Sequence, residues 1–119
     1  PKHDPVPLAV LMANATSRLG VVPTMSTSFY PPFLLARLAS TVDHIARGRF
    51  GWNVVTSAED RSAQNFGLDK LWEHDERYVR AGEYLDLVTR LWDSWEPDAA
   101  ERAQGPRERT GREAAPSRR

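Results

Sequence analysis

Two short polar runs carry most of the side chains in this sequence that could meet a ligand: Thr24-Met25-Ser26-Thr27-Ser28 and Asn53-Val54-Val55-Thr56-Ser57. Hydroxyl and amide groups can hydrogen-bond a polar ring edge or a phosphate without demanding a charge. The same residue types also cap helices and close turns. Residue type alone favours the capping reading, which is what these residues usually do. For Tyr78, spacing alone favours a place in a helix–sheet core over a ligand contact. His74-Asp75-Glu76 has metal-ligand chemistry, but adjacent helical residues diverge in direction and carboxylates suit the first turn of a helix. No metal site is expected there. His44 falls near a helix C-terminus, where a cationic side chain suits the dipole. With no cysteine, disulfides, thiolate metal sites and cysteine nucleophiles are excluded. The sequence holds no GxGxxG, P-loop or GxSxG string.

The elements that must position these groups follow from periodicity. Asp4-Pro5 reads as an N-cap and first helical residue, and the helix-permissive run ends near Arg18-Leu19-Gly20. Residues 19–25 read as a buried strand, with 24–30 passing into a polar loop. Pro31-Pro32 opens a helix over 31–47, with Phe33, Leu35, Ala36, Ala39, Val42, Ile45 and Ala46 at helical spacing. Gly48 suits a left-handed C-cap. Residues 50–56 read as a second strand, and Ser57 to Glu73 as a polar loop. Asp75 is placed to cap a long helix with the stripe Tyr78, Ala81, Leu85, Val88, Trp92 and Trp95, stopped by Pro97. A strand, a crossover helix and a second strand of this length predict parallel, adjacent strands in an α/β fold. In such folds ligands gather where strands end at their C-termini, which is where the two polar runs lie.

Composition narrows the partners. The net charge of +0 gives no case for nucleic acid. No apolar run approaches the roughly 18 residues of a membrane helix, so no membrane is expected. Absence of cysteine fits a reducing cytoplasm. The chain starts Pro1-Lys2-His3-Asp4, with no initiator Met and no signal peptide, which predicts processing or excision from something longer. From Asp98 to Arg119 the only apolar type is Ala, among Arg, Glu, Gly and Pro. Such a stretch cannot bury enough surface to offset its ordering entropy. The expected organisation is therefore a folded segment over 1–97 and a disordered Arg-rich tail over 98–119 that makes few contacts with it.

Several strings resemble the bacterial-luciferase-like flavin monooxygenases, the group that acts on nitrilotriacetate, dibenzothiophene sulfone and long-chain alkanes. Asn14-Ala15-Thr16-Ser17-Arg18-Leu19-Gly20 is similar to that family's "AATSRIG" lead into its third barrel strand. Met25-Ser26-Thr27-Ser28-Phe29-Tyr30 with Pro32-Phe33 resembles "VSTTFYHPY". Gly48 to Ser57 resembles "GRAGWNVVTS". Asn65-Phe66-Gly67-Leu68, Glu73-His74-Asp75-Glu76-Arg77-Tyr78 and Leu91-Trp92-Asp93-Ser94-Trp95-Glu96 match in order and spacing. The resemblance covers about residues 4–99.

It implies a (β/α)₈ TIM barrel and an enzyme that takes reduced FMN from a separate NAD(P)H-dependent flavin reductase. That enzyme would use the flavin and O₂ to oxygenate a small organic substrate. Carried over by motif, Thr24, Asn53, Thr56, Ser57 and Tyr78 would line the flavin pocket. No catalytic residue is assigned. A full barrel needs about 250 residues, so the resemblance implies a fragment of about two parallel strands with flanking helices. The barrel's other strands and its usual phosphate site lie outside it. The expectation is a truncated member inactive alone, from a truncated gene or shifted frame; the alternative is a non-catalytic remnant or subunit that pairs with another chain. Two open sheet edges also predict self-association.

Overall fold

A computed structural model describes residues 3–95. The expected tail over 98–119 lies outside the described residues. The chain runs α1 (Pro5–Ala15), β1 (Thr24–Ser26), α2 (Pro32–Ala46), β2 (Asn53–Val55), α3 (Asp60–Gln64) and α4 (His74–Asp93).

Local chemistry starts and stops these elements. The Asp4 carboxylate accepts the Val6 N–H at 2.8 Å, and Pro5 fills the first helical position of α1. Pro32 does the same for α2, where the Leu35 N–H donates to the Pro31 carbonyl at 3.0 Å. Arg47 and Gly48 both turn left-handed after α2, with φ of 55° and 76°. The Gly48 N–H then reaches back to the Asp43 carbonyl at 3.0 Å. Gly48 takes the conformation its residue type predicts, and Arg47 shares it.

The two strands pair in parallel, Thr24 with Asn53, Met25 with Val54 and Ser26 with Val55. A parallel bridge between Val21 and Phe50 precedes them. Backbone bonds join the two: Val21 N–H to the Arg49 carbonyl, Gly51 N–H to Val21, Asn53 N–H to Pro23 and Thr27 N–H to Val55. The expected adjacency, direction and bridging helix are all present. The boundaries shift: the regular strands are shorter than 19–25 and 50–56, and residues 24–26, expected to enter a loop, are paired. Pro23 has no N–H to give the ladder, which confines the regular stretch to its C-terminal side.

Side chains alternate across a strand. Val21 and Met25 face the helices, where they join the buried clusters. Thr24 and Asn53 face away from them and stay exposed. The larger cluster gathers Val6, Met25, Leu35, Ala36, Ala39, Val42, Tyr84 and Val88; Ala9, Ala13, Val21 and Ala46 form the second. Alanines at the α1–α2 contact let the backbones approach, so α2 sits between α1 and α4 on one side of the sheet. Burying a side chain such as Leu35 is worth about 1.5–3 kcal/mol.

Three helical expectations are corrected. Ser57 to Glu73 is not all loop, because α3 forms there and the Asp60 carboxylate accepts the Leu71 N–H at 2.9 Å, tying down the segment after it. Asp75 does not cap α4: Glu73 holds the N-cap position, and the Asp75 carboxylate pairs with His74 Nδ1 at 2.8 Å. The buried face of α4 is Ala81, Tyr84 and Val88, with Leu91 packed against the core. Tyr78 and Trp95, expected on that stripe, are 59% and 70% exposed. The face is turned by about one residue because Tyr84 reaches a partner that Leu85 cannot. On α2, Phe33 and Ile45 are likewise exposed.

That partner is the Tyr30 carbonyl, to which the Tyr84 hydroxyl donates at 2.8 Å. Burial, then the neighbouring Tyr30, pushes the Tyr84 pKa from 10.0 up to about 12. A raised folded-state pKa contributes stability that is whole below the unfolded value and is lost as pH rises through the folded one. Unfolding free energy of the full-length protein should therefore fall between about pH 10 and 12. Tyr84→Phe should cost about 1 kcal/mol near neutrality and flatten that alkaline decline, as measured by urea unfolding across pH.

Candidate functional site

β1 and β2 lie side by side, and polar side chains along them and just past their C-terminal ends bond across the ladder. Asn53 Nδ2 donates to Thr24 Oγ1 at 2.8 Å. That bond uses one of the two Asn53 amide protons and leaves its carbonyl oxygen and the Thr24 proton free. One step further along, Ser26 Oγ and Ser57 Oγ lie 2.8 Å apart. The Ser28 hydroxyl donates to the Thr56 carbonyl at 2.7 Å and the Thr27 hydroxyl to the Val55 carbonyl at 3.3 Å. The Ser28 N–H donates to Ser26 Oγ at 3.2 Å. Ser57 is held at φ 63°, a left-handed conformation that costs a serine roughly 1–2 kcal/mol. The cross-loop bonds hold it there.

Of the five residues singled out by motif, four share this region. Thr24 and Asn53 form one bonded pair, Thr56 lends its carbonyl, and Ser57 closes on Ser26. Tyr78 is apart. It is exposed on the first turns of α4 and packs on His74, with ring centroids 4.9 Å apart.

Around the strand ends, Phe29 stacks on Phe66 at 4.5 Å, joining the loop after β1 to the segment after α3. Arg80 lies over the Trp72 ring at 4.0 Å. His74 and Asp75 form an exposed surface pair. No group of three potential metal ligands occurs among the described residues.

Sequence reasoning missed the hydrogen bonds that hold this geometry. The Arg49 guanidinium donates to the Ala13 carbonyl at 2.8 Å and the Leu19 carbonyl at 2.7 Å. It satisfies the open C-terminus of α1 and ties it to the start of the ladder. Trp52 Nε1 donates to the Met25 carbonyl at 2.9 Å, and its ring sits 6.1 Å from Tyr84. Trp92 Nε1 donates to the Ala36 carbonyl at 3.0 Å, joining α4 to α2. Ser26 was within reach of a period-two argument, since it follows Thr24 on the same strand face.

With this geometry established, comparison places the chain. The family model described as luciferase-like monooxygenase matches residues 1–116. The chain belongs to the luciferase-like monooxygenase family. It is 46% identical over 96 residues to a dibenzothiophene-sulfone monooxygenase of Rhodococcus erythropolis, covering 81% of this chain and 21% of that one. It also resembles the solved structure of an EDTA monooxygenase from Chelativorans sp. BNC1: TM-score 0.76, 41% identity, 79% of this chain and 23% of that one. A riboflavin lyase solved with a modified FMN and riboflavin superposes with TM-score 0.78 at 40% identity, over 83% of this chain and 22% of that one. The chain thus spans about a fifth of the length of the curated relatives it matches. No helix among the described residues is long and apolar enough to cross a membrane.

Water can replace either partner of an exposed pair, so the Thr24–Asn53 bond should add little to the fold. Thr24→Val is expected to change unfolding free energy by less than about 0.5 kcal/mol. Arg49→Ala, which strands one carbonyl at the end of α1 and another in the segment leading into β1, should cost about 1–3 kcal/mol. Urea denaturation of the two variants side by side checks the contrast.

Proposed function

We propose that this segment forms part of the flavin pocket of an FMN-dependent monooxygenase. In this reading β1 and β2 are two neighbouring strands of a (β/α)₈ barrel, Thr24 and Asn53 line the wall along the strands, and Thr56 and Ser57 line it just past the end of β2. The motif assigns Tyr78 to the same pocket, from its exposed place on α4. The observation that carries the proposal is the Asn53–Thr24 pair. It is exposed on the sheet face turned away from the helices, two residues before the C-terminal ends of the paired strands, where barrel ligands bind. Family membership supports the same reading.

The donor set suits a flavin. The free amide proton and carbonyl of Asn53, with the Thr24 hydroxyl, offer alternating donors and acceptors to the polar edge of an isoalloxazine ring. None of these groups is charged, so none fixes the flavin's ionic state. Bound reduced FMN supplies the oxygen chemistry; these side chains bind the ring, orient it and help exclude water. A few hydrogen bonds of about 1 kcal/mol each amount to millimolar affinity at best. The remaining affinity must come from groups elsewhere in the barrel, the phosphate site after its last strands among them.

By the same reading, the substrate is a small organic molecule oxygenated with O₂, and a separate NAD(P)H-dependent reductase supplies the reduced FMN. The name of one relative, nitrilotriacetate monooxygenase component A of Aminobacter aminovorans, supports a divided system of this kind.

Asn53→Ala in the full-length protein should weaken reduced-FMN binding about five- to thirtyfold, the value of one to two hydrogen bonds. Unfolding free energy should be unchanged. Anaerobic titration measures the first and urea denaturation the second. Unaltered affinity and turnover would show that Asn53 serves the fold alone.

A further inference from the structure

The hydroxyl pair at the strand ends carries more than proximity. Ser26 is buried, at 8% exposure, and its oxygen already accepts the Ser28 N–H at 3.2 Å. A serine hydroxyl has one proton to give and two lone pairs. The hydrogen-bond partner that the structure offers the Ser26 proton is Ser57 Oγ, 2.8 Å away. If Ser57 donated instead, the buried Ser26 proton would be left without a partner, an arrangement that folded proteins avoid. The bond therefore runs from Ser26 to Ser57, and the half-buried Ser57 hydroxyl keeps its own proton for another acceptor.

We infer that Ser26 is a positioning residue: its hydroxyl holds the left-handed Ser57 turn in place and presents Ser57 as a hydrogen-bond donor. The ligand atom that Ser57 meets is then an acceptor, such as a ring carbonyl, a ring nitrogen or a phosphate oxygen. This rests on the reading of the strand ends as a flavin pocket. It assigns a role to Ser26, which touches no ligand itself, and a direction to the bond that Ser57 makes. The bond joins positions 31 residues apart, so it also couples the two strand-end loops.

The test is a mutant cycle in the full-length protein, titrated with FMN. Ser26→Ala and Ser57→Gly should each weaken FMN binding about three- to tenfold, as expected for one hydrogen bond. Glycine at position 57 removes the hydroxyl and accepts the positive φ without strain. The double variant should be no weaker than Ser57→Gly alone, because both substitutions break one chain of bonds. Ser26→Thr, which keeps the hydroxyl, should bind within twofold of wild type. Ser26→Cys, close in size but a weak donor, should behave like alanine and serves if the alanine variant does not fold. Amide exchange at Ser28 should quicken in Ser26→Ala and not in Ser57→Gly, since that N–H bonds Ser26 directly.

Wild-type affinity in Ser26→Ala and Ser26→Cys, with weakened binding in Ser57→Gly, would overturn the positioning role and leave the pocket reading standing. Equal weakening by threonine and alanine at position 26 would overturn it too, by showing that packing and not the hydroxyl matters. Wild-type affinity in every variant would remove Ser57 from the flavin contacts, and the positioning role of Ser26 with it.

Discussion

The parallel register between β1 and β2 is the constraint on which the remaining geometry depends. Pairing Thr24 with Asn53 sends both side chains to one face and, one residue on, sends Met25 to the other. A slip by a single residue would exchange the faces, burying the polar groups among the helices and exposing the core. Two side chains secure the register. Arg49, at the start of the ladder, grips carbonyls from α1 and from the segment leading into β1. Trp52 donates across the strands to the Met25 carbonyl while its ring enters the core. The site is thus positioned by groups that have no part in it.

The helices answer to the same ladder. Met25 and Val21 project from it into the two buried clusters, and α2 closes over both with Leu35, Ala39, Val42 and Ala46. The flanking helices are held on either side of α2 by different means. α1 approaches through alanines, whose small volume lets the backbones come close. α4 is secured by two directional bonds, from Tyr84 to the loop after β1 and from Trp92 to the backbone of α2. The first of these also fixes that loop, whose other residues carry the Thr27 and Ser28 hydroxyls. Packing behind the sheet and polar order in front of it are connected at Tyr30.

On the polar face, stability and binding are separated. Exposed Thr24 and Asn53 have little to contribute to folding and retain unused donors and acceptors. Ser26 and Ser28 are engaged in the loop bonds and hold the backbone of the second strand end. The strained backbone on this face is the left-handed Ser57, where backbone conformation and hydroxyl position are set together. In the proposed flavin pocket, a wall built from neutral groups on a paired ladder would suit a cofactor that does the chemistry itself.

Much of this was written locally in the sequence. Asp4-Pro5 and Pro31-Pro32 start helices because capping and a preset φ act within a few residues. The β-rich runs ending in Thr, Ser and Asn marked the two strand ends, and their spacing around one helix gave parallel pairing. The strings shared with the luciferase-like family named the same segments. Three things came only from the tertiary structure. Which side of α4 is buried depended on Tyr84 finding the Tyr30 carbonyl, 54 residues away. The anchoring by Arg49 and Trp52 needed carbonyls from a distant part of the chain. The Ser26–Ser57 bond exists only once the register has brought its two ends together. Periodicity and capping are properties of neighbours along the chain, whereas a hydrogen bond between strands is decided by the pairing.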